Sequence, residues 1–148
     1  MKIAIASDHA GYNLKEEIKK HLASMKIETI DYGTNSLDSV DYPDYAYPAS
    51  VSVRDKKVDF GILVCYTGIG MSITANKVRG IRAALVSNIE ASKLTREHNN
   101  ANVLCLGAKD LSVDNALAIV DAFITTSFMG GRHERRVNKI MEIEQNER

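Results

Sequence analysis

Helical and extended patterns alternate along this chain, predicting an α/β protein: a single α/β/α sandwich around a five-stranded parallel, Rossmann-like sheet. Two observations carry that prediction. Five short apolar or β-branched runs are separated by stretches with helical periodicity. The run from Val58 to Val64 is the most continuously apolar, as a central parallel strand covered on both faces requires. The 148 residues can build one proper core but not two comfortable ones, so 1–148 is expected to be one domain.

Each element has its own signal. Lys2 to Ser7 is a short strand closed by the turn Asp8-His9-Ala10-Gly11. A helix follows with Leu14, Ile18 and Leu22 on one stripe, and Lys15, Glu16, Glu17 and Lys19 are expected to face solvent. Ile27 to Asp31 is the second strand, and a polar loop runs from Gly33 to Asp41. Pro43 suits the first turn of a helix reaching about Lys56, which Pro48 can bend. The third strand, Val58 to Val64, runs into Cys65-Tyr66-Thr67-Gly68-Ile69-Gly70, a glycine turn opening a helix. Ile81 to Ser87 is the fourth strand, and Asn88 can cap a helix from Ile89 to about His98. Asn102 to Leu106 is the fifth. Ser112 can cap a helix that buries Ala116, Ile119, Val120 and Phe123. After Gly130-Gly131 a last helix carries Val137, Ile140, Met141 and Glu144 on one stripe, and Gln145 to Arg148 are expected to fray.

Composition narrows the function. Nineteen basic and nineteen acidic side chains cancel, arguing against a nucleic-acid-binding surface or an electrostatic membrane anchor. No segment approaches the roughly 18 to 20 apolar residues of a membrane span. Asp8 and His9 interrupt the first apolar run too early for a signal peptide. Two cysteines, Cys65 and Cys105, are too few for a disulfide scaffold, so both are read as free thiols in a cytoplasmic protein.

Ligands of open parallel sheets bind at the carboxyl ends of the strands. The residues expected there are Asp8 and His9, then Cys65 to Gly70, then Ser87 and Asn88, and finally Gly107, Ala108 and Lys109. Cys65, directly before a glycine turn that opens a helix, is either an inert strand-end thiol or a base or nucleophile activated by its position. Cys105, inside its strand, reads as a small buried hydrophobe. Gly68 and Gly70 form either a plain tight turn or a nest of N–H groups for a carboxylate, phosphate or enediolate oxygen. A dinucleotide fingerprint is excluded, because position 73 is Ile where a third glycine belongs. His98 closes its helix, where it can serve the dipole alone or join Asp8, His9 and Cys65 among the chemically able element ends. Arg132 and Arg136 share one helix face, a pair of forks suited to a phosphate. Two cations at a helix N-terminus are otherwise misplaced.

Taken in order and spacing, Ser7-Asp8-His9-Ala10-Gly11, the Cys65 to Ser72 run, His98-Asn99, Asn102 to Gly107 and the Arg132/Arg136 pair resemble the type B ribose-5-phosphate isomerases. That family includes galactose- and allose-6-phosphate isomerases. The resemblance implies an aldose–ketose isomerase without metal or cofactor, passing through a cis-enediolate. Cys65 would be the base. Thr67 and His98 would open the furanose ring, and Asp8 would move or orient protons at O1 and O2. The N–H groups from Tyr66 through Thr67, Gly68 and Ile69 to Gly70 would hold the enediolate, and Asn99 the sugar. His9, Arg132 and Arg136 would hold the phosphate, with Tyr42 and Lys109 completing the substrate-binding set. It further implies a homodimer with a shared site and a C-terminal helix used in dimerisation, a tetramer being left open. Two positions depart from the family pattern: Tyr66 stands where Gly is usual, and Lys109 where Arg is expected. A hexose-phosphate isomerase and a non-catalytic phosphosugar-binding module are the competing readings.

Overall fold

In the computed structural model, which describes residues 1–147, the strands are β1 (Lys2–Ser7), β2 (Glu28–Asp31), β3 (Phe60–Cys65), β4 (Ala83–Leu85) and β5 (Val103–Gly107). The helices are α1 (Tyr12–Ser24), α2 (Pro43–Arg54), α3 (Ile69–Ala75), α4 (Ile89–Asn99), α5 (Val113–Thr125) and α6 (Arg132–Asn146). All strand pairings are parallel, in the order β2-β1-β3-β5-β4. From β1 the chain moves to one side of the sheet, and from β3 to the other. The crevice between the carboxyl ends of β1 and β3 is therefore the switch point at which such sheets bind ligands.

Alternation along the strands builds a core on each face. Ile3, Ile5, Ile62, Val64, Leu104 and Leu106 meet Leu14, Ile18 and Leu22 of α1 and Ala116, Ile119, Val120 and Phe123 of α5. Ala4, Ala6, Leu63, Cys65, Val103 and Cys105 face Ala46, Ala49 and Val53 of α2 and Met71 and Ala75 of α3. Asn88 and Ser112 cap α4 and α5 through the N–H groups of Ala91 and Asn115.

Four expectations need correction. Lys15 does not face solvent: it is fully buried, and its ammonium lies 2.8 and 2.7 Å from the two carboxylate oxygens of Asp31. Its long stem covers apolar surface while its head finds a charge at the end of β2. The fourth strand spans three residues instead of seven. The Asn76 side chain accepts from the Ala83 N–H and donates to its carbonyl, at 2.8 and 3.0 Å, occupying the free edge of β4. The stripe on α6 divides: Val137 is buried and Met141 and Glu144 are half-buried, while Ile140 stands in the open, as does Ile143 outside the stripe. Gln145 and Asn146 remain helical, and Arg148 lies outside the described residues. No helix among the described residues is long and apolar enough to cross a membrane.

Candidate active site

The switch point is built from the ends of β1 and β3. Asp8 follows β1 and is buried; its Oδ1 accepts the Gly11 N–H at 3.0 Å, leaving Oδ2 for other work. Gly11 is required there because a Cβ would strike the carbonyl of Val64 at the end of β3. His9 accepts the Val40 N–H at Nδ1, 3.1 Å away. That bond requires the unprotonated nitrogen, so the ring proton sits on Nε2 and can be donated outward.

Cys65 ends β3 with its sulfur accepting the Gly68 N–H at 3.1 Å. The chain passes Gly68 at φ +78°, where a Cβ would lie 2.5 Å from Leu85 Cδ1 and 2.9 Å from the Leu106 carbonyl carbon. Glycine is thus demanded by conformation and space together. Thr67 Oγ1 accepts the Ile69 N–H at 3.2 Å and keeps its own proton for donation. Two of the expected nest donors are consequently engaged within the loop. Gly70 and Met71 supply the next N–H groups of the first turn of α3, which have no intrahelical partner. The Tyr42 ring lies over Gly70, where a Cβ would come within 2.5 Å of it.

The two departures from the family pattern stand side by side. The Lys109 N–H donates to the Tyr66 carbonyl at 2.9 Å, and its ammonium lies 6.0 Å from the Tyr66 ring centre. Tyr66 is 55% exposed, so its side chain lines the rim and does not fill the loop. Cys105 lies on the same sheet face as Cys65 but within the core; burial, and then the neighbouring Cys65, push its thiol upward and keep it protonated.

His98 and Asn99 are elsewhere. Helix α4 carries the chain back across the sheet, and its end is tied to the starts of the strands. Asn100 O accepts from Arg82 Nε at 2.9 Å, just before β4, and Asn102 O accepts the Gly61 N–H at 3.0 Å in β3. A six-residue strand separates that edge from Cys65, roughly 20 Å. Here His98 meets the first turn of α6. Its ring stacks on His133 with centres 4.1 Å apart and planes within 11°. Arg132 and Arg136 flank His133, both exposed and without an ion pair among the described residues. One chain therefore brings Asp8, His9, Tyr42, Cys65, Thr67 and Lys109 to one end of the sheet. It brings His98, Asn99, Arg132 and Arg136 to the other. Sequence reasoning passed over His133, although it stands between the two arginines it had singled out.

A thiol, a carboxylate and unpaired N–H donors at the switch point of a parallel sheet belong to an α/β enzyme that handles a small anionic substrate. The comparisons sharpen this. The Ribose/Galactose Isomerase family model matches residues 3–140. The chain is 46% identical over 144 residues to ribose-5-phosphate isomerase B of Escherichia coli K12, covering 97% of each. A Clostridium thermocellum ribose-5-phosphate isomerase B structure superposes with a TM-score of 0.99 at 49% identity over the whole of both chains. The Mycoplasma genitalium ribose-5-phosphate isomerase B, solved with bound ribulose-5-phosphate, gives a TM-score of 0.93 at 43% identity, covering 97% of this chain and 96% of that one. The chain belongs to the ribose/galactose isomerase family, and it is an aldose–ketose isomerase.

Proposed function

We propose that the protein interconverts D-ribose 5-phosphate and D-ribulose 5-phosphate, with each active site assembled from the two half-sites of different subunits. The observation that carries this reading is Cys65, a strand-end thiol held by the Gly68 N–H beside Asp8 at the switch point. Cys65 takes the C2 proton of the open aldose, the resulting cis-enediolate is held by loop N–H groups, and return of a proton to C1 yields the ketose. Asp8, through its free oxygen, moves the proton between O1 and O2. Thr67 and a partner subunit's counterpart of His98 open the furanose ring, the histidine passing the proton to or from the ring oxygen. Asn99 holds the sugar. His9 Nε2–H, Arg132 and Arg136 grip the phosphate, with Tyr42, Tyr66 and Lys109 at the rim. The remote phosphate fixes C1 and C2 against the sulfur, so binding energy serves the chemical step.

The five-carbon substrate is supported by the relatives' names and by the ribulose-5-phosphate bound in the Mycoplasma genitalium protein. A homodimer, acting in the cytoplasm on a metabolic sugar phosphate, is the smallest assembly consistent with the split. The exposed Ile140 and Ile143 on α6 suit a helix that packs against a second subunit.

The test is a proton NMR time course of ribose 5-phosphate with enzyme in D₂O containing EDTA. Ribulose 5-phosphate is expected to accumulate, and the Cys65→Ala variant to lose about 10³-fold in kcat, the scale of a missing general base. Wild-type protein that leaves the pentose unchanged but converts allose or galactose 6-phosphate would move the assignment to the six-carbon members. A Cys65→Ala variant with wild-type kcat would remove the thiol from the mechanism.

A further inference from the structure

His133 is buried to 6% exposure, yet its Nε2 has no hydrogen-bond partner among the described residues. A buried ring nitrogen left unpaired is costly, and it persists where the ring itself is needed. What the ring does touch is His98, face to face at 4.1 Å. The surroundings fasten the pair. Arg96 donates to the Thr126 carbonyl at 3.2 Å and to the Asn100 side chain at 3.0 Å, and also bonds the Ala101 carbonyl. The Met129 N–H donates to the Glu97 carbonyl at 3.1 Å, tying the residue before His98 to the segment that leads into α6. The His133 N–H donates to the Gly130 carbonyl at 3.1 Å, which sets the first turn of the helix.

We infer that His133 is a positioning residue for His98, its stacked ring fixing the plane in which the His98 imidazole exchanges a proton with the sugar's ring oxygen. This rests on the ring-opening role proposed for His98. Burial, then His98, Arg132 and Arg136, hold His133 below the usual histidine range, so the supporting ring stays neutral and adds no charge beside the two arginines. A flat neutral platform restricts the rotation of His98 without competing for its proton.

Substrate chemistry supplies a test that separates positioning from general damage. Ribose 5-phosphate is a furanose and must be opened. Ribulose 5-phosphate, with its carbonyl at C2 and O5 phosphorylated, cannot close a five-membered ring and enters as an open chain. Solvent deuterium exchange into C1 of ribulose 5-phosphate therefore needs Cys65 but not ring opening. His133→Ala is expected to slow conversion of ribose 5-phosphate by about tenfold or more, as expected for a misplaced proton-transfer group, while C1 exchange stays within about threefold. His133→Phe, which restores a flat neutral ring, is expected to recover most of the conversion. Should the alanine variant fail to fold, His133→Gln takes its place. Equal losses of conversion and exchange, no loss of either, or a phenylalanine variant as impaired as the alanine one would each overturn the inference. Wild-type protein that does not interconvert the two pentose phosphates would instead overturn the substrate assignment on which it rests.

Discussion

At the scale of single residues, position decides chemistry. Cys65 and Cys105 share a sheet face, but one ends its strand under an N–H donor while the other is sealed in the core. Cys105→Ala is expected to cost about 1 kcal/mol of stability and to leave kcat within about threefold, measured by urea unfolding and by pentose conversion. Gly68 is constrained more severely. Its φ of +78° and the 2.5 Å approach of Leu85 predict that Gly68→Ala loses about 1 to 3 kcal/mol. The same change shifts the N–H that holds the sulfur, so kcat should fall more than tenfold even where the variant is folded. Unaltered stability and activity would show that the turn can be made another way. The difference in position was legible in the sequence, because Cys65 closes its apolar run ahead of the Gly68-Ile69-Gly70 turn that opens a helix, whereas Cys105 lies inside its run.

Elements were legible where periodicity was strong. The apolar stripes of α1 and α5 and the caps Asn88 and Ser112 stand where their residues place them. What escaped depended on partners distant in sequence. Lys15 reads as solvent-facing until Asp31, sixteen residues away, arrives beside it. The fourth strand pairs with β5 only over Ala83–Leu85, and just before it the Arg82 N–H turns to the side chain of Asn102, twenty residues away, at 2.8 Å, which no local pattern reveals. The Lys15–Asp31 pair has a further consequence, since Asp31 also accepts the Gly33 N–H at 2.8 Å and so anchors the loop whose Val40 holds His9. Burial works against the Asp31 carboxylate, but Lys15, Lys19 and the Gly33 N–H outweigh it and hold its pKa below the ordinary 3.8. A lowered carboxylate contributes stability that is fully present above its unfolded pKa and is lost as pH falls through its folded one. Urea midpoints are therefore expected to decline below about pH 4. Asp31→Ala, which leaves the buried Lys15 ammonium only the Glu16 carboxylate at 3.5 Å, should cost about 3 kcal/mol and blunt that acid-side decline. A variant as stable as wild type would show that Glu16 alone suffices for Lys15.

For the whole molecule, the determining fact is that helices of a parallel sheet return the chain to the opposite edge. The family resemblance legible in the sequence named residues for both half-sites, but not the distance between them within one chain. A strand's length separates Cys65 from His98, and no small sugar phosphate bridges it. The central claim, that two subunits complete each site, is tested most directly by mixing two inactive variants. Cys65→Ala and His98→Ala proteins, unfolded together and refolded at equal concentration, form half heterodimers if association is random. In a shared-site heterodimer one site collects both substitutions and the other neither, so activity should return to about a quarter of wild type. No recovery, with heterodimers demonstrated by differential tagging, would place Cys65 and His98 in the same subunit's site and contradict the account.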